Sequence, residues 1–145
     1  MPSGLSFDHY GLAARDPEHA IRPLAYLGYT IGASIFDPEQ NVNLIYCTHA
    51  DMPAVEVISP AGDDGPLNSV LKQAAVNIYH LCFRCANIDE AAAAMKAGGL
   101  RVLPVARPKP AILFGGRRVA FFHVDGMGLV ELLETALPAP AAGSA

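Results

Sequence analysis

The chain has 145 residues, of which 52% are apolar and 17% charged, and its formal net charge is −4. That balance supports one compact hydrophobic core and excludes an intrinsically disordered chain. No run of Lys or Arg offers an electrostatic footprint for nucleic acid or an anionic membrane. No apolar run has the length of a membrane span, and residues 1–7 lack the basic and apolar stretches of a signal peptide. The composition leads us to expect a soluble, globular, cytoplasmic protein.

In chain order, a strand-like run around Phe7-Asp8-His9-Tyr10-Gly11-Leu12 is followed by Asp16-Pro17, an N-cap with proline in the first turn, and a helix that Gly28 closes. Strands are expected over Tyr29 to Phe36, Val42 to Cys47 and Ala54 to Ile58. A turn-rich stretch from Ala61 to Pro66 leads into a short connecting helix, Leu67 to Ala75. Then the order recurs: a strand over Tyr79 to Phe83, the N-cap Asn87-Ile88-Asp89, a helix closed by Gly99, and strands over Leu100 to Val105, Arg118 to Val124 and Gly128 to Leu133. The stretch from Pro138 to Ala145 is Pro, Ala, Gly and Ser and is expected to fray.

The recurrence extends to the residues. HYGLAARDPEHAIRPLAYLGYTI from His9 aligns with HLCFRCANIDEAAAAMKAGGLRV from His80, and each His precedes its helix-closing glycine by 19 positions. Each half reads β-α-β-β-β. A half of about 65 residues is marginal alone, so the expectation is a single α+β domain over residues 1–137. It contains a first module (5–60), a linker helix (61–75) and a second module (76–137), with a flexible tail over 138–145.

Chemistry concentrates on four positions that the repeat duplicates. His9 shares a strand face with Phe7 and Gly11 by period-two alternation, and His80 holds the equivalent place in Tyr79-His80-Leu81-Cys82-Phe83. A single strand histidine is more often a hydrogen-bonded core residue than a ligand; duplication at matched spacing favours ligation. Glu56 in Ala54-Val55-Glu56-Val57-Ile58 and Glu131 in Leu129-Val130-Glu131-Leu132-Leu133 are carboxylates inside apolar strands. Such carboxylates need a partner or a cation unless they face solvent. Two imidazoles and two carboxylates suit one borderline divalent cation, Zn, Co, Ni, Mn or Fe(II), with coordination positions left for substrate oxygen. The three cysteines, Cys47, Cys82 and Cys85, form no paired framework, and the C-x-x-C of Cys82 and Cys85 lies in an apolar run where the two side chains take opposite faces. Buried, reduced thiols are expected.

Paired β-α-β-β-β modules with His on the first strand and Glu on the last of each resemble the vicinal oxygen chelate superfamily, from Phe7 to Glu134. That superfamily includes glyoxalase I, extradiol dioxygenases, methylmalonyl-CoA epimerases and antibiotic-binding resistance proteins. The resemblance implies two modules forming a half-open barrel around a central metal held by His9, Glu56, His80 and Glu131. Ile58-Ser59-Pro60, then Gly65 to Lys72, then Tyr79-His80-Leu81 look like the corresponding stretch of the epimerases, as does Gly115-Gly116-Arg117-Arg118-Val119-Ala120-Phe121-Phe122-His123. The epimerases carry an acidic base on the strand before the second ligand; here that strand holds Asn43, and an amide cannot take up a proton. By resemblance to glyoxalase I, Glu131 or Glu56 moves the substrate proton instead.

The resemblance thus implies an isomerase, epimerase or lyase working by proton abstraction next to a carbonyl, with acyl-CoA thioesters among the candidate substrates. Alternative expectations are a small-molecule-binding resistance protein and an Fe(II) extradiol-type dioxygenase. Asn43, Cys82 and His123 are candidate substrate contacts. A homodimer is expected from the way exposed sheet edges of such modules pair. His19, His49, Arg117, Arg118, Lys72 and Lys109 are expected at the solvated surface.

Overall fold

The structure, a computed structural model, describes residues 4–138, so the expected tail beyond Pro138 lies outside the described residues. The elements are β1 (Ser6–Ala14), α1 (Pro17–Tyr26), β2 (Thr30–Asp37), β3 (Val42–Thr48), β4 (Ala54–Pro60), α2 (Pro66–Val70), β5 (Val76–Cys85), α3 (Ile88–Ala97), β6 (Val102–Pro104), β7 (Lys109–Pro110), a 3-10 turn (Ile112–Phe114), β8 (Arg118–Val124) and β9 (Gly128–Glu134). The fold is mixed α+β and dominated by strands. The β-α-β-β-β order appears twice, with β7 and the 3-10 turn as an insertion that periodicity did not reveal.

The helices begin and end where local chemistry dictates. The Asp16 carboxylate accepts from the Glu18 N–H at 3.1 Å, and the Asn87 side chain accepts from the Glu90 N–H at 2.9 Å. Gly28 and Gly99 adopt φ of 95° and 93°, a left-handed turn that lets the Tyr29 and Leu100 N–H groups bond back to the carbonyls of Leu24 and Met95. The connecting helix α2 is shorter than expected and stops at Val70. The Arg15 guanidinium donates to the Leu71 carbonyl at 2.8 Å and the Arg15 N–H to that of Ala75 at 3.0 Å. These bonds draw the segment after Val70 toward β1 and out of helical geometry.

The described residues form two compact units, 8–82 and 4–7 with 83–138. Most of β5, including His80, therefore counts with the first unit and not with its own module. In the first unit the strands run β2-β3-β4-β1-β5. β1 and β4 are parallel, because α1, β2 and β3 form the crossover between them, and β2, β3 and β4 are antiparallel. Helix α1 covers one face with a core of Ala14, Ala20, Leu24, Tyr29, Ile45, Cys47, Val55 and Val57.

The second unit repeats the plan as β5-β9-β8-β6, with β7 beside β8. Its core joins Cys85, Ile88 and Ala92 to Val102, Ala120, Phe122, Val124, Val130 and Leu132. The buried Glu134 carboxylate accepts from the Arg118 guanidinium at 2.8 and 2.9 Å and from the Ile88 N–H at 3.0 Å. One side chain thus ties β9 to β8 and caps the positive N-terminal end of α3. Arg118 is a correction to the surface expectation. Its charge is paired because Glu134 could not otherwise be buried. In neither unit does the sheet close on itself.

Candidate metal centre

Register decides which side chains meet in the first unit. β1 pairs β4 with His9 opposite Ala54 and Gly11 opposite Glu56. His9, Gly11 and Glu56 therefore share a face, while Tyr10, Leu12, Val55 and Val57 face α1. β3 pairs β4 with Tyr46 opposite Glu56, which sets the phenol on that same face. From β5 comes His80, 2% exposed, beside His9 at 0% and Glu56 at 5%.

Three donor groups converge there. His9 Nε2 lies 3.3 Å from His80 Nε2, and the Glu56 carboxylate oxygens lie 3.7 Å from the first nitrogen and 3.9 Å from the second. The imidazole of His80 reaches this place because Gly11 has no side chain: a Cβ there would stand 2.3 Å from its Cε1 and 2.4 Å from its Nδ1. Two neighbouring nitrogen ligands at about 2.0–2.1 Å from one ion stand about 2.8–3.0 Å apart in octahedral and about 3.3–3.4 Å apart in tetrahedral geometry. The separation of the two Nε2 atoms falls in the tetrahedral interval, with the carboxylate slightly outside it. The donor set therefore fits a borderline divalent cation.

His9 is anchored from behind. Its Nδ1 lies 2.7 Å from Asp8 Oδ2, and the Tyr46 hydroxyl donates to the same oxygen at 3.1 Å. Burial, reinforced by the Asp8 charge, raises the Tyr46 pKa far above its ordinary value, so the phenol keeps its proton as donor. Asp8 and Tyr46 were not singled out from the sequence. The available signal was a carboxylate next to the first His, and the register of Tyr46 against Glu56 is not written locally.

The other candidates divide. Cys82 is fully buried, with its sulfur within 4.8 Å of ligand atoms of Asp8 and His9, so it lies at the site. Asn43 pairs with Ser59 in a regular β3–β4 register, and alternation turns it to the face of Ile45 and Cys47, away from Glu56. Glu131, 4% exposed, belongs to the second unit, where it stands opposite Phe121 as Glu56 stands opposite Tyr46. His123 lies on that β8–β9 face but is exposed, lining a small concavity with Arg101, Leu103 and Asp125.

Two smaller expectations are settled. His49 is a clip and not a free surface residue: its Nε2 donates to the Leu27 carbonyl at 3.1 Å, and its Nδ1 accepts from the Asp51 and Met52 N–H groups at 2.9 and 3.2 Å. The cysteines are buried thiols, as expected, and burial pushes the Cys85 thiol up to about 11. Among the described residues, no helix is long and apolar enough to cross a membrane.

Comparison with known proteins bears on the family and the fold. Residues 8–121 match the glyoxalase/bleomycin resistance protein/dioxygenase superfamily. The chain is 32% identical over 129 residues to the ethylmalonyl-CoA/methylmalonyl-CoA epimerase of Cereibacter sphaeroides, covering 86% of this chain and 94% of that one. Among solved structures it is similar in fold to the methylmalonyl-CoA epimerase of Mycobacterium tuberculosis, at TM-score 0.74 and 21% identity over 96% of this chain and 91% of that one. It is also similar to that of Streptomyces coelicolor in complex with 2-nitronate-propionyl-CoA, at TM-score 0.74 and 24% identity over 93% and 98%.

Proposed function

The chain belongs to the glyoxalase/bleomycin resistance protein/dioxygenase superfamily, and on that premise we propose that it is a metal-dependent epimerase of 2-alkylmalonyl-CoA thioesters. The observation that carries this reading is the buried convergence of His9, His80 and Glu56. Similarity to the Cereibacter sphaeroides epimerase along nearly the whole of that protein supports the substrate class. His9, Glu56 and His80 would hold the cation. Glu131 joins them as fourth donor in this reading, supported by its buried place in the repeat, where it is the counterpart of Glu56.

When bound, the cation supplies a Lewis acid for the thioester carbonyl oxygen, which lowers the cost of removing the adjacent C–H proton. The rest falls to the chain's own groups. Burial of His9, His80 and Glu56 excludes water and strengthens each electrostatic contact. In this reading Glu131 takes up the proton from one face of the carbon next to the carbonyl, and Glu56, which helps to bind the cation, is the candidate carrier that would deliver a proton to the opposite face, so that the centre inverts. Asn43 has no part in proton transfer, since an amide cannot accept the proton and alternation turns it from the Glu56 face.

The experiment is incubation of the metal-loaded protein with methylmalonyl-CoA in deuterated water. Exchange of the α-proton seen by NMR, abolished in Glu131→Gln, is the expected result. Absence of exchange with every metal of the group overturns the substrate assignment. The two-His, one-carboxylate set within the first unit also matches the facial arrangement of Fe(II) oxygenases, and oxygen uptake with a catechol would favour that second reading.

A further inference from the structure

We infer that Asp8 and Tyr46 are positioning residues that lock His9 in a single tautomer, with hydrogen on Nδ1 and the Nε2 lone pair turned toward His80 and Glu56. The inference rests on the proposed metal reading for its purpose, although the tautomer itself is a property of the metal-free chain. The argument starts from what each group can do. An ionised carboxylate only accepts hydrogen bonds, so the 2.7 Å contact between Asp8 Oδ2 and His9 Nδ1 requires hydrogen on that ring nitrogen. A neutral imidazole has one N–H, so Nε2 is left with a lone pair.

Nε2 is also the nitrogen that lies 3.3 Å from His80 Nε2 and 3.7 Å from the Glu56 carboxylate. The alternative tautomer would give up the Asp8 bond at a site where His9 is fully buried, leaving a carboxylate and a ring nitrogen facing each other with no hydrogen between them. Tyr46 reinforces the lock from the other side. Its hydroxyl donates to the same Asp8 oxygen at 3.1 Å, and its ring meets the His9 ring edge-on, at 90° with centroids 5.6 Å apart. Both the plane and the tautomer of His9 are therefore set before any cation arrives.

Burial and register show why these two residues do this. Tyr46 reaches the site because β3 sets it opposite Glu56. Asp8 is partly buried at the edge of the site, with 13% of its side chain exposed. A carboxylate and a phenol acting through the far nitrogen of a ligating histidine are worth roughly 10- to 100-fold in metal affinity where such outer partners have been removed in other sites.

The test uses the full chain. Long-range proton–nitrogen NMR of ¹⁵N-histidine-labelled metal-free protein reads which His9 nitrogen carries hydrogen, and Zn affinity is read by competition with a chelating dye. The wild type should show hydrogen on Nδ1. Asp8→Ala should show both tautomers and bind Zn roughly 10- to 100-fold more weakly. Asp8→Asn, which keeps an acceptor oxygen, should recover most of that loss, and Tyr46→Phe should lose less than Asp8→Ala. A wild-type His9 protonated on Nε2, or an Asp8→Ala protein with unchanged tautomer and affinity, overturns the inference. If Asp8→Ala fails to fold, the wild-type tautomer with the Asp8→Asn and Tyr46→Phe affinities decides the matter. A wild type that shows the Nδ1 tautomer but binds no metal refutes the metal reading and leaves the lock standing.

Discussion

Replacing Gly11 with Ala probes the site through a single methyl group. The added Cβ would stand 2.3 Å from Cε1 of His80 and 2.4 Å from its Nδ1, against ordinary contact beginning near 3.4 Å. Gly11 sits inside β1, paired with Glu56 of β4, so the strand cannot retreat without breaking its register. The imidazole must move by about 1 Å, a displacement that costs on the order of 10²-fold in rate when it misplaces a catalytic group. Overpacking should destabilise the fold by roughly 1–3 kcal/mol, partly offset by about 0.5–1 kcal/mol from removing a strand glycine. The assay is kcat/KM for the proposed epimerisation together with the Zn dissociation constant and the thermal midpoint of metal-free protein. The expected signature is a large loss of activity and metal affinity with a small loss of stability. Gly98→Ala is the control, because its Cβ would meet only backbone carbonyls at 3.4 and 3.5 Å in the second unit. Wild-type metal affinity and activity in Gly11→Ala would refute the placement of His80.

Three further outcomes test other parts of the structure. Arg118 holds the Glu134 carboxyl below its ordinary pKa, helped by the Ile88 N–H. The stability this pair supplies is present in full above the unfolded carboxylate value of about 4.5 and is lost as pH falls through the lower folded value. Urea midpoints should therefore fall on acidification below about pH 4.5, and less so in Glu134→Gln; Arg118→Ala should cost roughly 2–3 kcal/mol at pH 7, less than a fully buried pair because Arg118 is partly solvated. His49→Ala should lower stability by about 1–2 kcal/mol without changing metal affinity, since its bonds join the β3–β4 turn to the end of α1; altered metal affinity would contradict this. A thiol reagent at pH 7.5 should label Cys47, Cys82 and Cys85 slowly in the native protein and rapidly in urea, because all three thiols are buried; fast labelling of native Cys85 would contradict its raised pKa.

Much of the chain's organisation follows from its sequence alone, because the signals are local or periodic. The doubled β-α-β-β-β order, the caps at Asp16 and Asn87, the left-handed glycines at 28 and 99 and the two His-then-Glu pairs all express short-range chemistry repeated at fixed spacing. Burial of His9, Glu56, His80 and Glu131 was likewise legible, since a polar residue in an apolar strand must either face solvent or find a partner.

What the tertiary structure decided depends on pairing between strands far apart in the chain, and a one-residue change of register would turn every side chain to the other face. That is why Asn43, chosen by its position in the strand, faces away from Glu56 while Tyr46 faces it. The same cause brings His80 into the space left by Gly11, 69 positions earlier. Asp8 looks like an ordinary strand charge until the fold buries His9 against it. Arg118 likewise reads as a solvated charge until β8 and β9 pair and bring it to Glu134, whose carboxylate also meets the first N–H of α3. Sequence fixes which faces a strand can have; pairing and close packing determine what each face meets.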